Sequence, residues 1–217
     1  MSAEPRTRVL DPISRVSEVL FGVIMALTFT GTLSAATADR AEVRTLLIGV
    51  IGCNLAWGLV DAVMYLMTSL TTRGHNLLTV RAVQRASTPE AAHGVIADAI
   101  PPILAPMLTR ADLERIRQGL AGMQDLPPSP SLTRDDWLGA LAVFLLVFLS
   151  TFPIVIPFLL FRNVHVALRT SNLVALVLLF ITGSWLASHG GHHPLRTGFT
   201  MMLLGVVLVA ITIALGG

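Results

Sequence analysis

Residues 137–161 read WLGALAVFLLVFLSTFPIVIPFLLF, twenty-five residues without one charge. A bilayer core of ~30 Å is crossed by ~20 apolar residues in a helix, and so long an uncharged run is the mark of a membrane span. The same character recurs on both sides of this stretch. Residues 19–38 are uncharged, 45–72 hold a single charge at Asp61, and 170–195 and 197–217 hold no Asp, Glu or Arg beyond the boundary. The chain reads as an all-α polytopic membrane protein with five transmembrane helices.

Composition agrees. Only 13% of the 217 residues are charged and 53% are hydrophobic, with a mean hydropathy of +0.74. Soluble domains carry roughly 25% charged residues, so an ordinary soluble globule and a disordered tail are both excluded. A net charge of +2 gives no reason to expect a nucleic-acid partner. The single cysteine, Cys53, excludes an intramolecular disulfide and a cysteine-based metal cluster.

Charge is concentrated. Fourteen of the 28 Arg, Asp and Glu residues lie between Arg73 and Asp136. That segment is expected to be a small helical insertion between spans two and three, which divides the chain into 1–70, 71–136 and 137–217. Thr88-Pro89-Glu90 reads as a helix start, Pro101 and Pro102 as a break, and Thr109-Arg110-Ala111-Asp112 as a second start. The second helix carries Leu113, Ile116 and Leu120 on one face. Asp11-Pro12 reads as the cap of span one, Thr133 to Asp136 as the start of span three, and Gly190-Gly191 with Pro194 as the stop after span four.

All 15 basic residues are Arg. With the N-terminus inside, the inner segments hold eleven of them and the outer segments hold Arg40, Arg44, Arg162 and Arg169. The positive-inside rule then favours a cytoplasmic N-terminus, a cytoplasmic insertion and an external C-terminus. Absence of Lys with abundant Ala, Arg and Leu points to a GC-rich bacterial genome, hence to the bacterial inner membrane. The polar start of span one does not resemble a cleaved signal peptide.

Charges inside a membrane need a partner, a water-filled cavity or an ion. Asp61 is such a charge. Asn54, Gly58, Asp61, Met64 and Thr68 follow at steps of four or three and read as one helical face. Glu18 lies at the inner mouth of span one, with Gly22 and Met25 continuing its face. Carboxylate with thioether suits a first-row divalent metal better than an alkali ion. Glu18, Met25, Asn54, Asp61 and Met64 are thus the candidate cation path, with Glu18 and Asp61 as candidate metal ligands; an interhelical hydrogen-bond network around a neutral Asp61 is the other reading. Pro153 and Pro157 interrupt span three, each removing a main-chain hydrogen bond, and are candidates for gating or for a static kink. His189, His192 and His193 cluster on the turn between spans four and five and are a further candidate metal site.

The layout of two helices, an inner domain and three more helices resembles the vacuolar iron transporter family. The resemblance is carried by TFPIVIPFLL (151–160), LVALVLLFITGSWLA (173–187) and PLRTGFTMMLLGVVLVAITIALGG (194–217). It extends to SRVSEVLFGVIMALTFTGTLSAA (14–36), where Glu18 falls about where that family has an Asn-Asp-Gly acid. NLAWGLVDAVMYLM (54–67) is similar to its Ala-Gly-x-x-Ser-Met stretch. The Asn-Asp-Gly and Gly-Glu-Tyr motifs are absent, and the insertion has only Glu90, Asp98, Asp112, Glu114 and Asp125 before span three where the family has glutamate-rich helices. The resemblance implies a homodimer that exports Fe²⁺ or Mn²⁺ from the cytoplasm in exchange for protons, with no permanently bound cofactor.

Two other functions fit the residues: a non-transporting membrane protein that binds a partner through its inner domain, and a monovalent cation channel. An enzyme is not expected, because no nucleophile and base stand at a credible spacing and no phosphate-binding or hydrolase motif occurs.

The arginine asymmetry predicts termini on opposite faces of the membrane. Cysteines introduced at Ser2 and Gly217 should be labelled from opposite sides by an impermeant maleimide; labelling of both from one side contradicts five spans.

Overall fold

The computed structural model describes residues 12–31 and 40–214, and among these there is no strand. In chain order the helices are α1 (Pro12–Gly31), α2 (Arg40–Arg85), α3 (Pro89–Ala99), α4 (Arg110–Ala121), α5 (Arg134–Ser150), α6 (Phe152–Leu160), α7 (Val164–His189) and α8 (Pro194–Ala214), with a 3₁₀ turn at Ala105–Met107. Four stretches are long and apolar enough to cross a membrane: Ala41–Arg85, Arg134–Leu160, Val164–His189 and Pro194–Ala214. A shorter apolar stretch, Val16–Thr28, lies in α1. The all-helical, polytopic reading of about five spans is therefore correct. Arg6, Arg8, the Asp11 cap, the outer end of span one and Gly217 lie outside the described residues.

Three expected boundaries move. The helix of span two does not stop where its apolar run stops near residue 72, because α2 continues unbroken to Arg85. Polar residues after Thr72 end the apolar run without ending the main-chain hydrogen bonding, and the first backbone stop comes at Ser87-Thr88-Pro89. Residues 40–44, expected in the turn between spans one and two, form the first turn of α2. Span four begins at Val164 rather than near 170, where the Asn163 side chain accepts a hydrogen bond from the Val166 amide.

The chain divides into two compact units, one holding the described residues up to Tyr65 and from Arg134 onward, the other Leu66–Thr133. In the first, α1 is the central helix. Val16, Val23, Ala26 and Leu27 are almost fully buried, and α1 packs against α5, α6, α7 and α8. Lipid tails are as apolar as Leu, so close packing rather than expulsion of apolar surface holds such helices together. Small residues permit it. A methyl group at Gly22 of α1 would sit 2.6 Å from the Val147 carbonyl oxygen of α5 and overlap the Ser150 hydroxyl. Between α7 and α8, Gly198 lies against the Phe180 carbonyl and Gly183 against Met201.

Span three is two helices. The chain breaks at Thr151 between α5 and α6, with Pro153 in the first turn of α6 and Pro157 inside it. Local hydroxyls occupy the loosened backbone: Ser150 Oγ donates to the Val147 carbonyl at 2.7 Å and Thr151 Oγ1 to the Phe148 carbonyl at 2.8 Å. From α7, the buried Ser171 donates to the Ile154 carbonyl at 2.7 Å.

In the second unit, α3 and α4 start as the sequence indicates. Thr88 caps α3 with Pro89 in its first turn, and Thr109 and Asp112 form a reciprocal capping box on α4. Val83, Ala92 and Ile96 make a small core onto which Leu113, Ile116 and Leu120 pack.

Gly22→Ala should weaken the membrane unit by about 1–3 kcal/mol, the usual cost of overpacking, read as earlier unfolding in a detergent-to-SDS titration. Gly119→Ala in α4, where a methyl meets nothing within 4 Å, should instead add ~0.5–1 kcal/mol of helix stability, read as slower amide exchange in α4.

Candidate functional site

α1 and α2 meet along one side of the membrane unit. Phe21 and Trp57 pack against each other with ring planes tilted by 39° and centroids 6.5 Å apart. One turn away, the half-buried carboxyls of Glu18 and Asp61 come within hydrogen-bonding reach of each other. The pairings 18 with 61 and 21 with 57 run in opposite chain directions, as neighbouring spans must. Two carboxyls in such contact repel each other strongly if both are ionised.

α2 meets α5 and the Thr151 break along a line of matched shapes. Tyr65 fills the space over Gly139, Phe144 covers Gly58, and Asn54 Nδ2 donates to Thr151 Oγ1 at 2.6 Å. Asn54 and Thr151 are each 1% exposed. Asn54 is bonded to the point where span three breaks, while its own Oδ1 is buried with no partner among the described residues. Asn54 and Asp61 are seven residues apart, ~10 Å along the helix. Acid pair and amide therefore occupy one polar side of α2 at two depths.

The structure separates the remaining expected residues. Met25 is half-buried on α1, two turns along from Glu18. Met64 is 55% exposed and lies off the face that carries Asn54, Gly58 and Asp61, while Thr68, on that face, is exposed. At 100° per residue the face that starts at Asn54 continues through Asp61 to Tyr65, and Met64 falls ~80° aside.

His189, His192 and His193 do not form the expected metal site. His189 Nδ1 lies 3.0 Å from the Trp185 carbonyl oxygen, its ring packs edge-on to Trp185, and the turn at Gly191 with φ of 71° separates it from the other two. Among the described residues no group of three or more His, Cys, Asp or Glu side chains could hold a metal ion. Glu18 and Asp61 on one chain thus offer two acidic ligands, short of a full shell for a hard divalent ion.

Sequence reasoning missed two polar groups. Asp136, read only as part of a helix start, is 5% exposed in the first turn of α5. Thr151 was passed over beside the prolines, although a hydroxyl next to a proline-broken helix is the group best placed to cap a loosened carbonyl.

In the second unit, Asp112 and Glu114 are committed to structure. Asp112 accepts from the Thr109 amide and hydroxyl, and these bonds lower its pKa. Glu114 accepts from Arg117 at 2.7 and 2.8 Å and from Gln118 at 2.9 Å, and stands 3.0 Å from His93 of α3. The hydrogen bonds from Arg117, with those from Gln118 and His93, pull its pKa down to about 2.

The model of the VIT family matches residues 85–217. No curated protein matches the chain. The matched stretch begins at the last residue of α2 and contains α3 to α8, so Glu18 and Asp61 both precede it.

A carboxylate whose folded pKa is depressed stabilises above its unfolded pKa and loses that contribution as pH falls through the folded value. The Glu114 link between α3 and α4 should therefore hold at pH 5 to 8 and fail between about 4.5 and about 2. Amide exchange around Ile96 and Ile116 should accelerate across that window, and Glu114→Gln should remove the transition while loosening the helix pair at neutral pH.

Proposed function

The chain belongs to the VIT family, the vacuolar iron transporters, and from that premise we propose that it carries Fe²⁺ or Mn²⁺ out of the cytoplasm in exchange for protons. Members of this family are membrane metal-ion transporters rather than enzymes. The observation that carries the finer reading is the contact between the Glu18 and Asp61 carboxyls.

Under the orientation with a cytoplasmic N-terminus, both acids lie in the inner half of their spans. A pair that shares a proton is neutralised in part, which lets it reside in a low-dielectric site. A divalent ion entering from the cytoplasm competes for the same oxygens and displaces the proton. The displaced proton is the counter-ion of the exchange, so a more acidic cytoplasmic side slows metal entry by mass action. Asn54, bonded to Thr151 at the break of span three, gives the path a neutral carbonyl oxygen deeper in the membrane, and Pro153 and Pro157 supply the place where that span can bend.

A dimer completes the coordination. One chain contributes two acidic ligands, and a second copy facing it doubles them. Phe21, Leu59, Val60 and Val63 are large, apolar and about half exposed near the pair, and methyl groups at Gly49 or Gly52 meet nothing within 4 Å of the same chain. Those features suit close approach of a second copy. The same surface also suits lipid, so the dimer is part of the test.

The test is metal flux into vesicles holding purified protein, with Fe²⁺ or Mn²⁺ outside and a pH indicator within. Asp61→Asn keeps shape and hydrogen bonding but removes the charge. It should abolish metal-coupled proton movement, by at least tenfold, and leave the cross-linked dimer intact. Transport at the unmodified rate contradicts the mechanism and favours a packed acid pair in a protein that works by binding a partner.

A further inference from the structure

A groove of about 740 Å³ opens on the membrane unit where α2 begins and where α6 turns into α7. That is within the ~300–1,000 Å³ of small-molecule sites. Leu47 and Ile51 of α2 form one wall and Val155 and Phe158 of α6 the other, and the groove is lined at its polar end by Arg44 and Arg162. Among the described residues no acidic side chain lines it. Both arginines are exposed, and among the described residues neither has an ion pair or hydrogen bond.

Two unpaired guanidiniums beside an apolar slot are an unusual expense in a protein with 13% charged residues. Their place in the chain adds to the point. Arg44 and Arg162 are among the four arginines on the side that the positive-inside rule leaves poor in basic residues, so they are not explained by orientation. Guanidinium is the side chain suited to bidentate contact with phosphate, and an apolar slot in a membrane protein is adjacent to acyl chains at very high local concentration. The charge selects the head and the slot selects the tail.

We propose that this groove is a binding site for an anionic phospholipid of the surrounding bilayer, with the phosphate held by Arg44 and Arg162 and an acyl chain lying between Leu47 and Phe158. The site is separate from the acid pair and does not depend on what the protein transports. It ties the start of α2 to the α6–α7 turn through the lipid.

The full-length protein, purified in uncharged detergent and stripped of lipid, is titrated with phosphatidylglycerol, phosphatidylcholine or inorganic phosphate, with retention followed by native mass spectrometry. Phosphatidylglycerol should bind most tightly. Arg44→Gln and Arg162→Gln should each weaken it roughly 5-fold and together ~30-fold, with phosphatidylcholine unaffected. Arg44→Lys with Arg162→Lys should keep most of the preference, which separates lost charge from a lost fold. Ile51→Trp, which fills the slot, should weaken both lipids while leaving the arginines in place. Equal retention of the two lipids, or an unchanged phosphatidylglycerol affinity in the double Gln variant, overturns the proposal. Inorganic phosphate bound as tightly as phosphatidylglycerol also overturns it, because the slot then contributes nothing.

Discussion

A main chain that stops being helical inside a bilayer must find its hydrogen-bond partners in the protein, because lipid offers none. The break at Thr151 is where this constraint acts on the fold. Two prolines remove amide donors within five residues, and the neighbourhood answers with hydroxyls. Ser150 and Thr151 turn back onto carbonyls one turn earlier, Ser171 reaches across from α7, and Asn54 reaches from α2 to Thr151 itself. Three separate spans are fixed in rotation by meeting one defect. The rotation of α2 that brings Asn54 to Thr151 also brings Asp61 towards α1, so the acid pair inherits its geometry from the break.

What could be read in advance was what depends on local chemistry. Runs without charge marked the spans. Thr88 with Pro89, Thr109 with Asp112 and Gly190 with Gly191 marked helix ends, because caps and stops act over four residues. Failures came where a property had to be carried further along the chain. Polar residues after Thr72 ended the apolar run but not α2, since hydropathy and helical hydrogen bonding are different quantities. Met64 was placed with Asp61 by steps of three and four, yet 3.6 residues per turn leaves it aside by position ten. The histidines were grouped by sequence distance, which the turn at Gly191 undoes.

The second unit shows a different use of acids from the one that the family resemblance implies. Asp112 and Glu114 are spent on a capping box and on a link to Arg117, Gln118 and His93. An acid whose oxygens are already satisfied by a guanidinium has little left to give a metal ion. Asp112 and Glu114 are therefore poorly suited to capturing an ion ahead of the membrane unit.

The central position of α1 has a consequence for how the protein is made. α1 is synthesised first, yet the residues that cover it belong to α5 to α8, which leave the ribosome ~120 to ~180 residues later. At about 5–20 residues per second, that is an interval on the order of 6 to 40 s in which Gly22 and Thr30 face lipid with no protein beside them. Only α2 arrives early enough to help. Glu18 and Asp61, meeting across the first two helices, let this hairpin form its acid contact before the later spans arrive. The same contact that serves the finished molecule thus serves as the escort of an unfinished one.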